Sequence, residues 1–167
     1  MIVLVHGAVG AACGIALRRR LPAAVVAFAS HYALDAIGHD EPLDEGGDLR
    51  PDVIAVDAAL LGVVLLATAA RRGIASPETL GAVAACIPDV EPLLSRRLKW
   101  PRGGTHGAFP HGRWPRQRMS LRWQFVVGGV GWLAVLGPLS SWNRAQAPQR
   151  RLAGGASAAK HGPSGRP

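Results

Sequence analysis

Only Arg18-Arg19-Arg20 separates two apolar runs, Met1 to Leu17 and Leu21 to Ile37. A link that short obliges two helices to run back along each other as an antiparallel hairpin. At ~1.5 Å rise per residue, His6 stands roughly 20 Å from the arginine turn, and His31 to Asp35 stand roughly 15–20 Å from it. The hairpin therefore returns His6 to the level of Ser30–Pro42, the stretch SHYALDAIGHDEP. There His31, Asp35 and His39 recur at i, i+4 and i+8, and on a continuing helix they stack on one face. A carboxylate between two imidazoles on so apolar a segment reads as a polar helix end at a membrane interface, a structural hydrogen-bond cluster, or a metal or acid–base site.

The other apolar runs set the fold class. Val53 to Ala70 is of spanning length and ends at Arg71-Arg72, and Leu121 to Leu139 is entered through Trp123 and Gln124 and left through Trp142. Tryptophans so placed are interfacial anchors. Met1 to Leu17 is at the short end of a span, and Gly7, Gly10 and Gly14 offer it a small-residue face for close packing. Its positive cluster follows the apolar stretch, the reverse of a secretory signal. Ser76-Pro77-Glu78 opens a fourth helix with a cap, a proline at the first position and an acid in the first turn. Its apolar part, Thr79 to Ile87, is only nine residues and meets Pro88-Asp89-Val90-Glu91-Pro92.

The expected fold is therefore all-α, a polytopic membrane helix bundle of four or five helices over residues 1–140. The fourth helix is expected to be short and broken at the Pro-Asp motif, where freed carbonyls and acids can line a polar cavity. Residues 141–167, rich in Ala, Gly, Pro, Ser and Arg, read as a disordered basic tail.

Charge is divided along the chain. All 11 Asp and Glu lie at or before Glu91, whereas 13 of the 19 Lys and Arg lie beyond it. Alongside apolar blocks, a basic half points to anionic lipid or to membrane topology before nucleic acid, for which no folded motif is present. A spanning fourth segment puts the basic 95–122 loop outside, against the positive-inside rule. A re-entrant one keeps the loop inside but carries His106 and His111 away from the outer-end site. Cys13 and Cys86 lie in apolar stretches with no metal-binding spacing, and read as buried free thiols.

The polar groups in or beside apolar runs are His6, His31, Asp35, His39, Asp57, Asp89, Glu91, His106 and His111. Neutral imidazole with carboxylate is the ligand set of zinc and similar divalent ions. Asp57 reads equally as a first-turn residue favourable to the helix dipole and as an intramembrane functional carboxylate.

Several motifs resemble a family of small bacterial integral membrane proteins described as metal-dependent hydrolases, which includes inner-membrane proteins described as LexA-binding. They are an early His in a Gly/Ala-rich first helix, Ser30-His31 with Leu34, Asp35 and His39, and Gly81-Ala82 with Ile87-Pro88-Asp89. The resemblance covers roughly residues 1–140 and is nearest to the short relatives. It implies a multi-pass helical fold in the cell inner membrane and a divalent metal, zinc among the candidates. The residues it matches are His6, His31, Asp35 and Asp89 as metal ligands, with His39 or His111 as acid–base. Where the named members carry HRGxTHS, this chain has GGTHGAFPHGR, so His106 and His111 depart from the pattern. The motifs of membrane lipid phosphatases, SGH and KxxxxxxRP, do not occur. The expected function is hydrolysis of a lipid-like ester or phosphoester, with membrane lipids as partners and no nucleic acid. The alternative is a non-enzymatic membrane protein with a structural His/Asp cluster and basic segments for anionic lipid or a partner.

Overall fold

The computed structural model describes residues 1–42, 50–98 and 114–137. The chain separates into a compact unit over Met1–Leu136 and a second over Gly137–Pro167. The expected disordered tail, His106, His111 and the side chain of Glu91 fall outside the described residues.

Helix α1 spans Val3–Leu17 and α2 spans Arg20–Asp35. Arg18 takes a left-handed conformation (φ 57°) and its N–H bonds Gly14 O at 3.0 Å, ending α1 and turning the chain back at once. Pro22 falls in the first turn of α2, where its missing N–H costs nothing. Strand β1 (Ile37–His39) follows α2 closely and pairs in parallel with β2 (Trp114–Met119), inside the segment read as a basic loop.

Helix α3 spans Pro51–Arg72, with Asp52 in its first turn and Arg71 and Arg72 in its last, the charges its dipole favours. It ends at Gly73, whose positive φ of 95° suits glycine. Ser76 Oγ accepts the Thr79 N–H at 3.2 Å, so the expected cap opens α4, Pro77–Leu98. Helix α5 is Leu121–Leu136.

One expectation is corrected. α4 is neither short nor broken: it continues for 22 residues straight through Pro88. Proline leaves the Ala84 carbonyl without its usual helical donor and loosens the next turn. Packing holds the turn in place, because Pro88 is fully buried and the adjacent Ala85 carbonyl meets His31 Nδ1 at 2.9 Å.

The helices alternate in direction around a central α1. α1 packs on α2, α4 and α5, and more lightly on α3. Its approach to α4 is very close: a Cβ on Gly10 would stand 2.3 Å from Gly81 O, and one on Gly14 2.4 Å from the Glu78 backbone. Both positions need glycine because backbone meets backbone. The larger core cluster joins Leu4, Val5, Ala8 and Ala11 of α1 to Ala82 of α4 and to Trp132 and Val135 of α5. Ala27 of α2 packs on Ala84 and Ala85 of α4.

The outer faces are apolar as well. Leu21, Val25 and Val26 on α2, Val56, Leu60, Val63 and Leu66 on α3, Ile87 and Val90 on α4, and Val126, Val130 and Leu133 on α5 are all exposed. Among the described residues, α3 is the one helix long and apolar enough to cross a membrane, and only 11% of its apolar window is buried in the protein. Helices α1 and α5 are shorter and apolar.

Candidate metal centre

The arginine turn lies at one end of the bundle and the polar site at the other. α1 contributes His6 one turn from its start, the last turn of α2 contributes His31 and Asp35, and α4 contributes Asp89 one turn beyond Ala85. The hairpin register expected from the short link brings His6 and His31 together. Their rings stack with centroids 4.0 Å apart and planes 25° apart.

Asp35 lies behind both rings. Its Oδ1 is 3.2 Å from His6 Nε2 and its Oδ2 is 2.9 Å from His31 Nε2. The Met1 amine nitrogen also lies 3.0 Å from Oδ1. With both Nε2 atoms turned to one carboxylate, the two Nδ1 atoms of the stacked rings are turned elsewhere. His31 Nδ1 faces Ala85 O at 2.9 Å and stands 3.8 Å from Asp89 Oδ2. His6 Nδ1 and Asp89 Oδ2 are buried with no hydrogen-bond partner among the described residues.

Those orphaned atoms test whether a metal fits, and it does. His6, His31 and Asp89 each offer one ligand atom, all within 4.8 Å of one another, so the group can hold a metal ion. Ligands about 2.0–2.2 Å from a zinc ion sit about 3.4 Å from each other, so small side-chain rotations close the set. The imidazoles are wholly buried, whereas the Asp89 side chain is 20% exposed and forms the open edge. The family resemblance implies Asp35 as a fourth ligand. Here its oxygens face the Nε2 atoms of both imidazoles, the position from which a carboxylate would orient metal-binding histidines.

Proton positions follow from the partners. The nitrogens of His31 both face acceptors, a carbonyl and a carboxylate. Without an ion, that geometry calls for a proton on each nitrogen. A metal at Nδ1 takes the place of one of them.

His39 does not join the ligand group. Its Nδ1 pairs with Ile37 O at 2.6 Å, and its Nε2 faces the Met1 amine. Burial, and then the positive Met1 amine, hold this imidazole below its ordinary value, in the neutral form. Asp57 does not join it either. It is buried on α3 and accepts the Val3 N–H at 2.7 Å and the Leu4 N–H at 3.0 Å, capping α1 from a neighbouring helix. Cys86 is a buried free thiol whose Sγ lies 3.7 Å from Val3 O, as its apolar setting suggested, and Cys13 is a half-buried one.

Gln124, read from sequence only as an interface residue, is a buried clamp. It accepts the Ile2 N–H at 2.9 Å and donates to Asp40 O at 2.8 Å and Met119 O at 3.1 Å. Three elements are joined through one amide. The signal for it was a lone amide facing into an apolar run, where a buried polar group requires partners. Trp132 Nε1–H adds a bond to Leu4 O at 3.0 Å. Together these residues grip the start of α1, one turn before His6.

No family model, curated protein or solved structure matches the chain.

Proposed function

We propose that the protein is a multi-pass metalloprotein of the cell inner membrane that hydrolyses a lipid-like ester or phosphoester. The observation that carries it is the pair of orphaned buried atoms, His6 Nδ1 and Asp89 Oδ2, grouped with His31 within ligand distance. A bound divalent ion such as zinc would supply a polarised water as nucleophile. Asp35 faces the Nε2 atoms of both imidazoles, so their Nδ1 atoms, that of His31 beside Ala85 O, are the ones that would turn to an ion. Asp89, at the exposed edge, is the ligand beside which a substrate has room to enter.

Membrane placement is supported by the outward faces. Exposed Val, Leu and Ile cover α2, α3, α4 and α5 on the sides away from α1. A water-soluble monomer rarely leaves a contiguous apolar patch larger than a few hundred Å², whereas lipid tails solvate such faces without penalty. The polar centre then lies inside the bundle, where intramembrane ionisable groups ordinarily do. The motif resemblance adds the bacterial inner membrane and the hydrolase class.

A second reading has its own observation. Asp35 alone ties together the Met1 amine, His6 and His31, so the cluster can serve as a structural cross-link between α1 and α2. Metal analysis of detergent-purified protein separates the two. The metalloprotein reading expects about one divalent ion per chain, lost in His6→Ala and in Asp89→Ala. Metal-free protein after expression with ample zinc refutes it. The structural reading expects those variants to unfold to the same degree with metal or with chelator. Metal-loaded protein inert toward both carboxylic and phosphoric ester lipids refutes the hydrolase assignment and leaves the metal site standing.

A further inference from the structure

Two cationic side chains that the ligand set does not use lie at the end of the bundle that holds the metal centre. β2 carries the chain back to the site end: His39 is in register with Met119, and the Asp40 N–H bonds Met119 O at 3.0 Å. Gln124 then locks Asp40, Met119 and Ile2 together. Arg118 directly precedes Met119, and Arg122 lies two residues before Gln124. Both are exposed, at the end of the bundle that holds Asp35 and Asp89.

Neither arginine has a carboxylate within ion-pair distance among the described residues, unlike Arg50, which pairs with Asp52 at 2.7 Å. Two exposed guanidinium groups with no carboxylate within ion-pair distance among the described residues, at the end of the bundle that holds the candidate metal site, are the composition of a phosphate-recognition edge. A neutral carboxylic ester has no use for them. Trp123, next to Arg122 in sequence and 63% exposed, is the residue type that settles at headgroup depth.

We propose that Arg118 and Arg122 bind the phosphate of a phospholipid headgroup, which makes the substrate a phosphoester lipid instead of an uncharged carboxylic-ester lipid. This rests on the hydrolase reading above for the word substrate, but the binding claim stands by itself. In the reaction, a water oxygen forms the new bond to phosphorus and the bond from phosphorus to the leaving alcohol oxygen breaks. One proton of the water ends on that alcohol.

The test measures binding of dihexanoyl phosphatidic acid to the detergent-purified full chain by calorimetry, with dihexanoylglycerol as the neutral control. Each titration is run metal-loaded and with chelator, so failure of the metal reading and failure of this one are separately visible. Wild type should bind the phosphatidic acid at least about tenfold more tightly than the control, the scale of one charge-assisted contact. Arg118→Gln with Arg122→Gln should abolish that preference and its salt dependence, and Arg118→Lys with Arg122→Lys should retain part of it. Equal binding of the two lipids, or an unchanged preference in the Gln variant, overturns the proposal. Inorganic phosphate competing as well as the lipid overturns its lipid part.

Discussion

Replacing Asp57 removes the cap that α3 lends to α1. In Asp57→Ala, the Val3 and Leu4 N–H groups lose acceptors now at 2.7 and 3.0 Å. These are among the first amides of α1, which no intrahelical carbonyl can satisfy. Leu4 is buried, so water does not readily replace the lost carboxylate there. Hydrogen bonds to a charged group contribute about 1.5–3 kcal/mol each, hence about 3–6 kcal/mol for two. Relief from burying a carboxylate offsets part of that, leaving a net loss of about 2–4 kcal/mol. Asp57→Asn keeps one good acceptor and should lose roughly half as much. Reversible unfolding in mixed micelles, followed by the fluorescence of buried Trp132 with the other four tryptophans replaced by phenylalanine, reports on this end of α1 directly, because its indole bonds Leu4 O. A change below about 0.5 kcal/mol for Asp57→Ala would refute the cap, since that is the size of an ordinary surface substitution. So would a loss seen only in metal-loaded protein, which would make Asp57 a ligand after all.

Other outcomes follow from the same geometry. Gly10→Leu should force α1 away from α4, where even a Cβ meets Gly81 O at 2.3 Å, and lower metal affinity at least tenfold by parting His6 from Asp89; unchanged affinity by chelator competition would exclude this coupling. Arg18→Gly should stabilise the protein by about 1 kcal/mol, by removing a left-handed non-glycine residue at the hairpin; equal unfolding midpoints would count against it. His39, held neutral by burial and the Met1 amine, has its folded-state value depressed. Its contribution is therefore complete above the ordinary histidine range, near pH 6.5, and is lost as pH falls below it. Stability should drop between pH 7 and pH 5, and His39→Gln should flatten that drop; parallel curves would remove His39 as a cause. Gln124→Leu should cost about 2–4 kcal/mol, because one buried and two half-buried backbone partners lose their bonds at once; a neutral result in unfolding measurements would show that water replaces it.

Helix starts, the hairpin and the meeting of His6 with His31 follow from the chain alone. They depend on run length, on a linker too short for any other path, and on a rise per residue that is the same in every helix. The Ser76-Pro77-Glu78 start is legible for the same reason: a cap acts within a few residues. Other features are set by residues far apart in sequence. Asp35 sits behind the imidazoles instead of beside them because the α1–α2 packing turns both Nε2 atoms toward it, and i, i+4 spacing carries no information about ring orientation. Pro88 leaves α4 continuous because neighbouring helices bury it and His31 engages the adjacent carbonyl, a compensation from another element. Asp57 and Gln124 look like helix-end and interface residues until α1 is placed against them, for their partners are backbone amides, which every sequence has and none distinguishes. Sequence determines which chemical groups reach this end of the bundle. Only tertiary packing decides which atom of each faces which, and that choice separates a ligand from its support.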